Sequence, residues 1–119
     1  MGNWIEQGLE SGEFDAVIRS AFVKNTWFCE EFVKQALKGI ALWLRKDEME
    51  SFVADYDFAK EPKKVAIIAA GNIPAVGFHD IMCVLISGNT AVCKLSYKDE
   101  VILPFLFKKY FPEEVIFTS

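Results

Sequence analysis

With 119 residues, 52% of them hydrophobic and 11 of them phenylalanine, the chain carries more apolar material than one small domain readily hides, which forecasts apolar surface left open or awaiting a partner. Its net charge of −4 excludes wholesale binding of nucleic acid through a basic surface. Three cysteines without paired spacing argue for a reducing compartment; apolar runs of about a dozen residues are too short to span a bilayer, and MGNWIEQGLE lacks the regions of a signal peptide, so a cytoplasmic location is expected.

The first half reads as helical. Ser11 is placed to cap a helix carrying Phe14, Val17, Ile18, Ala21 and Phe22 at i, i+3, i+4, i+7 and i+8, ended by Asn25-Thr26. A second helix is expected over about Glu30 to Arg45, with Phe32, Val33, Ala36, Leu37, Ile40 and Leu44 on one face. Acids at its start and Arg45-Lys46 at its end suit the macrodipole. Asp47 and Glu50 resemble a capping box for a third helix striped with Met49, Phe52, Val53 and Tyr56. A polar connector containing Pro62 follows, so residues 1–61 form a helical region and residues 62–119 a separate α/β unit.

Within that unit, Val65 to Ala70 is a continuous apolar run, the pattern of a strand buried on both faces of a parallel sheet. The chain turns at Gly71-Asn72, and Pro74 suits the first position of a helix running to Ser87. Gly88-Asn89 stops that helix, and Thr90 to Leu95 forms a second strand, completing a βαβ unit. Ser96 to Asp99 is placed to cap a further helix, kinked or restarted at Pro104. Val115 to Phe117 begins a third strand. The fold class is therefore α/β, helices followed by a partial Rossmann-like parallel sheet in the order βαβαβ. Sheets of this kind bind ligands beyond the carboxyl ends of their strands, here Ala70-Gly71-Asn72 and Lys94-Leu95-Ser96.

The string GNIPAVGFHDIMCVLISGNTAVCKLSYKDEVILPFL, above all Gly71-Asn72-Ile73-Pro74, Gly77-Phe78-His79-Asp80 and Lys94-Leu95-Ser96, resembles the N-terminal part of acyl-CoA reductases of the LuxC type, a branch of the aldehyde dehydrogenase superfamily. The resemblance covers about Asn25 to Phe107. It implies reduction of a fatty acyl-CoA or acyl-protein thioester to an aldehyde with NADPH, through a catalytic cysteine. On this likeness Asn72 stands where an asparagine donates to the oxyanion of the tetrahedral intermediate. The backbone from Ile68 through Ala69 and Ala70 to Gly71 matches the lining of the nicotinamide end of the cofactor. Lys94 matches a lysine at the adenosine ribose, and Ser96 offers a hydroxyl to the same region. Where NAD-preferring relatives often have a glutamate there is Tyr97, which leans toward NADPH.

The likeness also places the catalytic cysteine beyond Ser119. Cys29, Cys83 and Cys93 read as structural thiols, so the chain is expected to be inactive alone and to need the missing C-terminal part of the reductase. The other class of reading is a non-catalytic module, an interaction subunit or half of a split reductase, using an unpaired sheet edge to bind its partner; an oligomer is open. His79 and Asp80 are acid–base candidates, with packing or fixing of the loop after Gly71 as the plainer reading. One histidine and no clustered cysteines leave no zinc site. Gly71 and Gly77 do not make the dinucleotide glycine fingerprint.

Overall fold

The computed structural model describes residues 1–119. Four helices lead: α1 (Gly2–Ser11), α2 (Asp15–Lys24), α3 (Glu30–Trp43) and α4 (Lys46–Val53); then come β1 (Lys64–Ile68), α5 (Phe78–Ile86), β2 (Thr90–Lys94), α6 (Ile102–Tyr110) and β3 (Val115–Thr118). The sheet is parallel throughout, in the order β1-β2-β3. No helix is long and apolar enough to cross a membrane.

Register divides the sheet into two faces. Val65, Ala91 and Val115 form one row and Ile67, Cys93 and Phe117 the next, with Ile67, Ala91, Cys93 and Val115 all buried. Helix α5 packs against β1 and β2, and α6 against β3. Phe107 of α6 ties this layer together, stacking on Phe78 with ring centroids 5.2 Å apart and reaching Phe117 at 6.3 Å. Crossovers of one hand that step in one direction put successive helices on the same side.

The opposite face carries Ala66, Val92 and Ile116, then Ile68, Lys94 and Thr118, and it is open. Ile68 is 85% exposed and Ala66 is exposed as well. The expectation of a first strand buried on both faces is thus corrected. The apolar run is real, but no element covers its second side.

The helical region shares one apolar core with the sheet layer. Trp4 and Phe14 meet Phe105 at centroid distances of 5.4 and 5.1 Å, and Trp43 meets Phe78 at 6.0 Å. Helix α1 falls in a stretch to which the sequence assigned no element, and it changes the role of Ser11. That residue ends α1, its hydroxyl donating to Gly8 O and accepting from Glu13 N, while Phe14 occupies the N-cap of α2. Gly8 permits this corner, because a Cβ there would lie 2.5 Å from Phe14 Cδ1.

Two further boundaries move. Helix α5 starts at Phe78 rather than near Pro74, because Ala75 has φ +56° and residues 73–77 form a turn. Ser96 does not cap a helix: its hydroxyl accepts from Lys98 N, and Asp99 N donates to Ser96 O, closing a separate turn. Helix α6 therefore begins later, at Ile102, which puts Pro104 in its first turn, where no N–H is required. No break occurs at Pro104.

Candidate functional site

The loops at the carboxyl ends of β1 and β2 are knitted together by backbone and by two small side chains. Ala69, buried, donates its N–H to Lys94 O at 2.9 Å. Gly71 is buried against the other loop: a Cβ at this position would collide with Ser96 Oγ and lie 2.7 Å from Ser96 Cβ and 3.0 Å from Lys98 Cβ. Only hydrogen fits there. Ser96 thus faces Gly71 and closes a turn, so its hydroxyl is partly committed to the fold.

Beneath these loops sits Asp99, a carboxylate that the sequence pattern marks only as part of a helix cap. It is 3% exposed. Its Oδ2 accepts the Ala75 N–H at 2.7 Å, while Oδ1 has no partner. Burial raises its pKa from the ordinary 3.8 to about 6, against the opposing effect of the Ala75 hydrogen bond. This bond holds the left-handed Ala75 and with it the 73–77 turn. Lone acids in turns are common, and only the tertiary fold reveals that this one is buried.

Asn72 directly precedes that turn and stands, exposed, on the wall of a cleft of about 680 Å³. The cleft is walled by Trp27, Phe28, Phe32, Ile73 and Pro74, with Gln35 as a further polar group. Phe32 and Ala36 lie one turn apart on α3 beside its buried stripe of Val33, Leu37 and Ala41. Periodicity placed Phe32 and Ala36 on the apolar face of the helix together with the buried residues and did not mark them as a wall. Trp27, in the α2–α3 loop, gave no signal. The loop is anchored to the sheet ends, with Asn25 Nδ2 donating to Lys98 O at 3.4 Å and Lys24 pairing with Glu100 at 3.1 Å.

The nucleotide candidates are divided between environments. Ile68 and Lys94 are register partners at the end of the open face, both exposed. Ala70 is exposed, whereas Ala69 and Gly71 are buried and offer backbone only. His79 lies elsewhere: its ring lies tilted against Trp43 with centroids 4.9 Å apart, and its Nδ1 stands 3.7 Å from Cys83 Sγ, so it packs in the α3–α4–α5 aromatic group rather than fixing the loop after Gly71. Burial pushes the Cys83 thiol up, with the Asp80 charge adding to it, and burial does the same for Cys93, helped by Asp80 and Asp99. Cys29 is the N-cap of α3, outside the lining of the Asn72 cleft.

Compared with protein-family models, with curated proteins and with solved structures, the chain matches none.

Proposed function

We propose that this chain is the N-terminal, cofactor-facing part of an NADPH-dependent reductase of fatty acyl thioesters, of the LuxC type within the aldehyde dehydrogenase superfamily. The observation that carries the reading is the placement of Asn72 on the wall of a cleft lined by Trp27, Phe28 and Phe32, immediately beyond a parallel strand. An apolar trough suits an acyl chain, and an exposed side-chain amide suits the thioester carbonyl at its end. As the carbonyl oxygen gains negative charge, the Asn72 N–H would donate to it, a contribution of about 10²–10³ in rate for such donors.

NADPH fits the other group of residues in donor chemistry. The exposed Lys94 supplies a cation for a ribose 2′-phosphate, and Ala70, exposed and with a small side chain, leaves room for close approach. The bound nucleotide would supply the hydride. This chain's part is to orient it, to hold the acyl group and to stabilise the oxyanion. The thiol nucleophile comes from outside these residues, since none of Cys29, Cys83 and Cys93 lines the Asn72 cleft.

The open sheet face favours a second form of the same reading, in which the chain is one half of a split reductase. Parallel sheets are characteristically covered on both sides, and here the face bearing Ala66, Ile68 and Ile116 has no cover.

Two titrations of the chain test the proposal. NADPH should bind more tightly than NADH, and Lys94→Ala should abolish the difference. In a Trp4→Phe/Trp43→Phe background, dodecanoyl-CoA should quench Trp27. Equal affinity for both nucleotides, unchanged by Lys94→Ala, together with a silent Trp27, rejects it.

A further inference from the structure

The charge of the molecule is concentrated in one place. Residues 46–61 hold six acids against two lysines, a net of −4 that equals the charge of the whole chain, so the remaining residues are balanced. The same segment, α4 and the connector after it, displays aromatic rings: Tyr56 is 73% exposed and Phe58 69%. No residue of α4 is buried. An eight-residue helix is far too short to be stable by itself in water. Its Met49, Phe52 and Val53, at i, i+3 and i+4, form the kind of stripe with which one helix meets another, and Tyr56 extends it just past the helix end.

The stripe borders a groove of about 640 Å³ between α4 and α5. Phe52, Tyr56 and Phe58 stand along it, Cys83 and Ile86 of α5 line it, and Glu50 and Asp57 add two carboxylates. Its far end is built firmly. Ala59 N donates to Ser87 O at 2.8 Å, and Phe58 lies over Gly88, where a Cβ would come within 2.7 Å of its ring. Glu50 has one ion pair, a long exposed contact with Lys46 at 3.8 Å, of the kind that contributes little.

We propose that this groove receives the apolar face of a basic amphipathic helix from a partner protein, whose lysines or arginines meet Glu50 and Asp57. Charge selects this occupant. A segment carrying −4 repels anionic lipid, nucleic acid and the phosphates of an acyl-CoA, and a neutral apolar ligand would leave the carboxylates unused. The groove and the Asn72 cleft share no lining residue, so this inference stands apart from the reductase reading.

The probe is a labelled amphipathic peptide of about 18 residues, some five helical turns, built from leucine and lysine, with its leucine–glutamate mirror as counterpart. Fluorescence anisotropy with the full chain should show binding of the lysine peptide alone. In a Cys29→Ser background that peptide should protect Cys83 from maleimide. Glu50→Lys/Asp57→Lys should weaken binding about tenfold through lost charge complementarity, and Tyr56→Ala about fivefold through a lost aromatic contact. Glu113→Lys/Glu114→Lys, the same charge change at exposed positions outside the groove, should stay within about twofold. Thermal unfolding of each variant shows whether its fold is retained, and Tyr56→Ala supplies a readout that reverses no charge. The proposal is overturned if both peptides bind equally, if neither binds, if Cys83 stays reactive, or if the Glu113→Lys/Glu114→Lys variant loses as much as the groove variant. Binding to neutral phosphatidylcholine vesicles in place of the peptide would also overturn it, marking a lipid surface.

Discussion

Asp99 should make the protein more stable as the solution is acidified, contrary to the usual behaviour of a carboxylate. The folded state raises its pKa from 3.8 to about 6 because the group is buried with Oδ1 unpartnered. A folded pKa above the unfolded one means that the folded state binds more protons between about pH 4 and pH 6. The stabilisation is fully present below about pH 4 and is lost as the pH rises through about 6. Roughly two pKa units correspond to about 3 kcal/mol across that window. Asp99→Asn removes the titration while keeping an oxygen that can accept the Ala75 N–H, so at pH 7.5 it should be more stable than the wild type by about 1–3 kcal/mol. At pH 4 the advantage should vanish. Asp99→Ala should fall below Asp99→Asn at both pH values by about 1–3 kcal/mol, because the buried Ala75 N–H then loses its acceptor. Urea unfolding at a series of pH values measures all three, and the difference between the wild type and Asp99→Asn cancels the titration of the other carboxylates. A difference that is flat from pH 4 to 7.5 would refute the reasoning, as would one growing more favourable to the wild type as the pH rises.

Two further outcomes follow from close packing and from the open face. Gly71→Ala should destabilise by about 1–3 kcal/mol, a fall in melting temperature of about 4–12 °C for a chain of this size, and Ser96→Gly should restore part of it, because Ser96 supplies the nearest clashing atoms; an unchanged melting temperature in the single variant would show that the two loops do not touch. Neighbouring residues of β1 should respond oppositely to lysine: Ile68→Lys, on the open face, should shift stability by no more than about 0.5 kcal/mol, whereas Ile67→Lys, beneath the helices, should abolish cooperative unfolding. Equal effects at the two positions would mean that the open face is covered in solution.

What was legible in the residues was local. The strand at Val115, the helix over Glu30 and the stop at Gly88 each rest on a period or a turn residue within a few positions, and the structure keeps them: α3 begins at Glu30, Gly88 has φ +87° and β3 begins at Val115. The run Val65 to Ala70 correctly announced a strand in a parallel sheet, but hydropathy records what a strand can bury and cannot say whether another element arrives to bury it. Only the fold shows Ile68 bare beside Lys94. Pro74 suggested a helix start by its fixed φ, yet the start was moved to Phe78 by Asp99, a residue 24 positions from Ala75 in sequence whose carboxylate captures the Ala75 N–H. Asn72 could be singled out from its position after a strand. The aromatic wall it faces could not, because Trp27 and Phe32 reach it from a loop and a helix that meet the strand end only in three dimensions. Local propensities set the elements, while long-range contacts set their boundaries and exposed surfaces, because free energy there depends on which distant groups arrive to pair or to pack.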